Sequence, residues 1–302
     1  MYLKLKNNLK RYGSLYIFLI PMVLYLLVFN YGPLYGIQIA FKDFYANLGI
    51  WDSPWVGFKH FERFFDSYYF GRLLKNTLAL SLYNLLLFPL PVIFALMLNE
   101  LKNEKFKKLN QTLTYAPYFI SIVVVVGMMI ILLDGQTGLI NHILNALGIK
   151  SQNFLTDPNW FRHIYVWSGQ WQGLGWGTIV YLAALAGVNP ELHEAAKIDG
   201  ASRMQRIVHI NIPSIMPTII VLFILSLGSF MSTGFEKVLL LSNSLNAATS
   251  DIIQKYVYEI GLIDGQYSFA AAIGLFESMI NVVLIVGANF ITKKFSSSGK
   301  LW

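Results

Sequence analysis

The segment Asn189–Pro217, NPELHEAAKIDGASRMQRIVHINIPSIMP, decides how this chain is read, because its polar surface interrupts otherwise hydrophobic sequence. Asn189 is a natural N-cap. Pro190 fits the first helical position, where no amide hydrogen is needed, and Glu191 lies in the first turn, favoured by the helix dipole. Ala195, Ala196 and Ala201 flank Gly200, so one face is nearly bare and another backbone can come close. Pro213 and Pro217 close the element, and apolar sequence resumes. The segment reads as a short helical docking element between two membrane helices.

Composition agrees. Of 302 residues, 55% are hydrophobic and 13% charged, against roughly 25% charged in a soluble domain, and the mean hydropathy is +0.52. Six apolar runs, at about 15–35, 76–98, 112–133, 161–187, 214–235 and 268–291, predict an all-α polytopic membrane protein with six transmembrane helices in a single domain, 1–302. A barrel would need short alternating strands instead. The basic start, with Lys4, Lys6, Lys10 and Arg11, is followed by no small-residue cleavage site, so the first run is expected to span rather than be removed. Between Lys42 and Lys75, aromatics interleaved with charges suit an outside loop at the membrane interface without a core of its own. Pro89 and Pro91 interrupt the second span, the third is the most hydrophobic, and the fourth, WSGQWQGLGWGTIVYLAALAG from Trp167, is weakly apolar and glycine-rich, as befits a helix buried among helices.

Fourteen of the 23 Lys and Arg residues fall in the two ends, including Lys293, Lys294 and Lys300, and in the short loops around Lys102–Lys108 and 188–213. The positive-inside rule therefore places both termini and the docking element in the cytoplasm. The net charge of +7 is sorted by side of the membrane and implies lipid rather than nucleic acid as the charged neighbour. Zero cysteines exclude disulfides and thiol chemistry. No GxxxxGK[ST] stretch is present, Gly299-Lys300 lacking its context, so the chain cannot hydrolyse ATP unaided. His60, His142, His163, His193 and His209 show no metal-ligand spacing, and there is no GxSxG elbow. If a solute crosses the membrane here, the energy must come from a bound partner or an ion gradient.

Glu194, Ala195, Ala196, three residues, Gly200, nine residues, Ile210, one residue, Ile212 and Pro213 resemble the EAA motif of permease subunits of binding-protein-dependent ABC importers. Ile212 stands where Leu is usual, a swap that keeps size and apolarity. Asp199 beside Gly200 and the second proline look like the carbohydrate, maltose-transporter-like branch. Looser similarities extend over most of the chain: Asn76-Thr77, Ala116-Pro117-Tyr118 with Ser121, GSFMSTGFEKVLLL from Gly228, and YGPLYGIQIAFKDF from Tyr31 and YVYEIGLIDGQYSFAAAIGLF from Tyr256, the last two resembling a subgroup for oligosaccharides derived from polysaccharides. Asn243-Ser244-Leu245 replaces the Gly-Gly-Pro of many relatives, which argues against a maltose-type substrate. The resemblance implies a type I ABC importer permease fold, with 188–213 as the loop that couples to the ATPase through Glu194, Ala195, Ala196, Asp199, Gly200, Ala201, Ile210 and Pro213. It also implies a second homologous permease, two ATP-binding subunits holding ATP and magnesium, and an extracytoplasmic solute-binding protein, with no cofactor on this chain.

Sugar contacts at membrane depth require polar or aromatic side chains. Trp167 and Trp171 stand one turn apart beside Gln170, and Gln172 and Trp176 form a similar pair; interfacial anchoring and helix bonding is the other reading. Asn84, Ser229, Phe230 and Ser232 are weaker candidates, for which packing is the alternative. Glu277, with Asn281 one turn on, is the carboxylate inside the sixth span and is a structural hydrogen-bonded residue, a pathway contact or a proton relay. Two functions stand: a subunit of an ATP-driven oligosaccharide importer, and a self-sufficient secondary transporter or a permease for a non-sugar solute.

Overall fold

The computed structural model describes residues 2–295; Lys300, in the basic tail expected inside, lies outside the described residues. Those residues are helical apart from loops and two isolated bridges, Lys42 to Trp55 and Tyr45 to Gly49. The long elements are α1 (Tyr2–Leu26), α2 (Phe70–Leu86), α3 (Pro89–Asn99), α4 (Glu104–Tyr115), α5 (Ile122–Leu132), α6 (Pro158–Ala186), α7 (Pro190–Ile198), α8 (Ile212–Gly228) and α9 (Tyr267–Phe295). They fall into two compact units, residues 1–67 with 257–276, and 68–256 with 277–302.

Four stretches are long and apolar enough to cross a membrane: Tyr12–Phe41, Phe70–Asn99, Arg203–Gly228 and Tyr267–Phe290. The third expected span differs from its predicted form. Instead of one helix over 112–133, α4 with its 3-10 extension and α5 meet at a bend of 99°. Pro117 supplies no amide for the ladder, and Ser121, extended at ψ 149°, restarts the helix by accepting from Val124 N. The carbonyl of Ile120 freed at the break receives Gln172 Nε2 at 2.8 Å, as a buried backbone group in lipid must be satisfied. In the second span the interruption is slight: α2 ends at Leu86 and α3 begins at Pro89, where the missing amide is harmless.

The first unit corrects the expectation of a coreless outside loop. Phe41 stacks on Trp55 at 5.7 Å and packs on Phe58 and Phe61, while Ala40, Phe61 and Ala272 form a buried cluster. Lys42 is buried with its ammonium donating to the carbonyls of Ile50 and Trp51, so the charge is held by backbone. Asp43 pairs with Lys59 at 2.7 Å and His60 at 3.1 Å, and the hydrogen bond from Lys59 lowers its carboxyl below the usual range. The α1 side chains from Leu15 onward are largely exposed, Phe18 by 81%, which suits contact with lipid.

In the second unit α6 is the central element. Phe161, Tyr165 and Val166 share a core with Leu80, Val125 and Val238, and Tyr181 and Leu185 share another with Val92, Leu96 and Ile215. Its length of 29 residues suffices to span, but Ser168, Gln170 and Gln172 dilute its apolarity. A helix packed on several sides has little lipid to face, which is why weak hydropathy is tolerated there.

Candidate functional site

The docking element is built as its residues dictate. Asn189 accepts from Glu191 N at 3.0 Å and opens α7. At its end Gly200 has φ +78°, its amide donates to the Lys197 carbonyl, and Ala201 N donates to the Ala196 carbonyl at 2.8 Å. These two bonds are the Schellman arrangement, which places a left-handed residue just past the helix. Ser202 then starts the next turn: its hydroxyl accepts from Gln205 N while Gln205 Oε1 accepts from Ser202 N at 2.7 Å. This capping box was readable as S-x-x-Q and was not singled out. Arg203 ties the element to the end of α3 through Glu100 at 3.2 Å, a contact without sequence signal. A π-helical turn, Ile207–Asn211, leads into α8, with Pro213 in its first turn.

Glu194, Ala195, Asp199, Gly200 and Pro213 are exposed, Ala196, Ala201 and Ile210 half-buried. The last three are brought together around a recess of about 230 Å³ that Gln205, Arg206 and His209 complete. Leu192, Met204 and, at 87%, Ile198 are exposed. Apolar side chains presented beside small residues form a surface suited to a protein groove.

A second site lies among α2, α6 and α8. A cavity of about 580 Å³ is lined by Ser81, Asn84, Gln170, Trp176, Ser229 and Ser232, with bare glycines on α6 and the apolar Phe88 and Leu222. Of the candidates, Asn84, Gln170, Trp176, Ser229, Phe230 and Ser232 meet here; Trp167, Trp171, Gln172, Glu277 and Asn281 do not line it. Trp176 presents its ring against Tyr118 at 4.4 Å and 3°, a flat aromatic pair that no spacing within α6 announces. Trp167 Nε1 donates to the Tyr83 hydroxyl at 2.9 Å, and Trp171 is half exposed. Gln172 is engaged at the α4–α5 break.

Glu277 and Asn281 stand behind the lining. Glu277 Oε1 accepts from Gln254 Nε2 at 3.0 Å and Ser232 Oγ at 3.4 Å, and Asn281 Oδ1 accepts from Met231 N at 2.9 Å. Together they anchor the non-helical stretch after α8, which supplies Ser229, Phe230, Ser232 and Thr233 to the cavity. Glu277→Gln keeps an acceptor for both donors, so uptake is expected to stay within about threefold of wild type. Glu277→Leu strands them, at roughly 1–3 kcal/mol for an unsatisfied buried group. Thermal unfolding of the purified complex alongside uptake checks this; a Gln variant without uptake would give the carboxylate a role in transport.

Residues 70–297 match the family described as binding-protein-dependent transport system inner membrane component. The chain is 48% identical over 292 residues to protein LplB of Bacillus subtilis (strain 168), covering 96% of this chain and 92% of the relative. It is 45% identical over 286 residues to the polygalacturonan/rhamnogalacturonan transport system permease protein YteP of the same organism, covering 94% and 89%. Among solved structures it is similar to a chain of a bacterial ABC transporter involved in import of the acidic polysaccharide alginate, at TM-score 0.90 and 40% identity over 97% of this chain and 99% of that one.

Proposed function

This chain belongs to the family of binding-protein-dependent transport system inner membrane components, and we propose that it is one half of the translocation pathway of an ATP-driven oligosaccharide importer. The observation that carries the reading is the exposed docking element, closed at Gly200 and presenting Leu192, Ile198 and Met204. In this reading a second homologous permease completes the pathway, two ATP-binding subunits hold ATP and magnesium and seat the element, and an extracytoplasmic protein delivers the solute. Glu194 is exposed and makes no ion pair within the described residues, leaving it available to a basic group of the ATPase; such an exposed pair contributes about 0–1 kcal/mol. The cavity fits a sugar: hydroxyls and amides of Ser81, Asn84, Gln170 and Ser229 supply hydrogen bonds, and Trp176 supplies a flat face. The polygalacturonan/rhamnogalacturonan named for YteP and the alginate of the similar importer support a polysaccharide-derived solute.

Both termini lie in the cytoplasm in this arrangement, so reporter fusions after Lys108 and after Lys300 are both expected to report cytoplasm; an external signal at either reverses the topology. The function is tested in proteoliposomes holding the complete complex. Uptake of an oligosaccharide is expected to require internal ATP and external binding protein together, and uptake driven by a proton gradient without ATP would replace this reading by a secondary transporter.

A further inference from the structure

Lys237 is 6% exposed, yet among the described residues no carboxylate lies within ion-pair distance of its ammonium. It donates to the carbonyl of Tyr165 at 2.7 Å and lies 4.9 Å from the Tyr165 ring centroid. That carbonyl also accepts from Ser168 Oγ at 3.2 Å, so the ammonium shares one helical oxygen and keeps two donors free of side-chain or backbone acceptors. An unpaired buried ammonium is costly to maintain, and nothing in the helix packing requires it, since a methionine would fill the same volume.

Its position is what gives it a use. The amine rests against Gly169: a Cβ built there would be 3.4 Å from Nζ. Gly169 lines the 580 Å³ cavity, as does Gly234, three residues before Lys237. No side chain on Gly169 screens the charge, and the flexible stem of lysine lets the ammonium reach a ligand past that bare backbone. Arg162 lies two turns earlier on the same side of α6 as Gly169, about 10 Å away at 1.5 Å per residue. It too has no carboxylate partner among the described residues, donates to Asn76 Oδ1 at 2.8 Å, and leaves Nε buried and unbonded. Among acids, Asp251 is claimed by Arg72 and Lys255, and Glu277, which touches the cavity lining through Ser232, has Oε1 committed to Gln254 and Ser232. Two uncompensated cations thus lie along the α6 wall that leads to the cavity.

We propose that Lys237 is a specificity-determining residue of the pathway, and that the oligosaccharide passing it bears carboxylates, as in a uronic acid oligomer. The proposal rests on the oligosaccharide importer reading. A carboxylate arriving beside Gly169 would give Lys237 the counter-charge that the chain withholds, and a neutral sugar would leave the ammonium as it is. Because the pair would form in a site shielded from water, its charge dependence should be steep.

The test begins with the partner binding protein, whose intrinsic fluorescence is titrated with trigalacturonate, an alginate tetrasaccharide, galactotriose and arabinotriose. Binding of an acidic probe is expected. Binding of the neutral probes alone overturns the proposal while the carbohydrate reading survives, and binding of none of the four removes both. Uptake of the bound acidic probe is then compared in reconstituted complexes. Lys237→Met is expected to lower it about tenfold, Lys237→Glu further still, and Lys237→Arg to restore it to within about twofold. Full uptake by the Met variant overturns the proposal. So does an Arg variant as poor as Met with both complexes eluting intact, since shape rather than charge would then be what the position supplies.

Discussion

A complex carrying Gly200→Val is expected to lose binding-protein-stimulated ATP hydrolysis and solute uptake by more than about tenfold, while the chain remains in the membrane. The cause is in the backbone. Gly200 sits at φ +78°, where a β-branched residue is an outlier costing about 1–2 kcal/mol or more. A Cβ at this position would meet nothing within 4 Å of its own chain, so no internal clash is involved. The strain is instead relieved by opening the Schellman turn that carries the Ala201 to Ala196 and Gly200 to Lys197 bonds, which shifts α7 against the capping box at Ser202. Gly200→Asn separates conformation from contact, because asparagine tolerates the left-handed region at small cost. It is expected to fall between valine and glycine, its side chain occupying exposed surface of the proposed ATPase contact. Ala196→Asp puts a charge at the mouth of the recess formed with Ala201 and Ile210 and is expected to uncouple as strongly as valine. Full stimulated hydrolysis and uptake in both Gly200→Val and Ala196→Asp would remove this element from the coupling role.

The helical build of the 189–213 segment was legible because its signals are local. Asn189, Pro190 and Gly200 each serve a backbone requirement within one or two turns, and the structure meets each requirement with that residue. The break at Ser121 was less visible. Pro117 and Ser121 announce it, but the apolar run from Ile122 to Leu133 dominates a reading by hydropathy, which registers length and not direction. The first unit's core escaped for a related reason: Phe41 lies fourteen residues before Trp55, outside any local helical or strand period, so its packing on Trp55, Phe58 and Phe61 depends on loop geometry that bridges at Lys42 and Tyr45 create. For the cavity, composition found the right helix and could not rotate it. Gln170 and Trp171 are adjacent and therefore point about 100° apart on α6, so packing alone decides which of them faces the space, and the structure turns Gln170 inward.

The strongest structural effect is expected at Gly175, and it separates two readings of the α6 glycines. Gly169, Gly173 and Gly177 form the repeating small-residue pattern that in membranes marks close helix approach, yet all three line the cavity. Gly175 lies off that pattern and makes the closest approach: a Cβ there would overlap the Thr114 carbonyl oxygen, lie 2.5 Å from the Thr114 carbonyl carbon and 2.8 Å from Tyr115 Cδ1. Two of these atoms are backbone and cannot rotate away, so α4 and α6 must separate. Separation also disturbs the adjoining α4–α5 bend, where Gln172 holds the Ile120 carbonyl. Overpacking of this kind costs roughly 1–3 kcal/mol for one methyl and more for valine. Gly175→Ala is therefore expected to lower the melting temperature of the purified complex and reduce its yield, and Gly175→Val to prevent assembly. Gly127→Ala on α5, where a Cβ meets nothing within 4 Å, is the matched control and is expected to be neutral or stabilising by up to about 1 kcal/mol through the higher helix propensity of alanine. Thermal unfolding followed by size exclusion distinguishes them. If Gly175→Ala melted with Gly127→Ala at or above wild type, α4 and α6 would not touch at Thr114, and the α4–α5 bend beside α6 would have to be held from elsewhere.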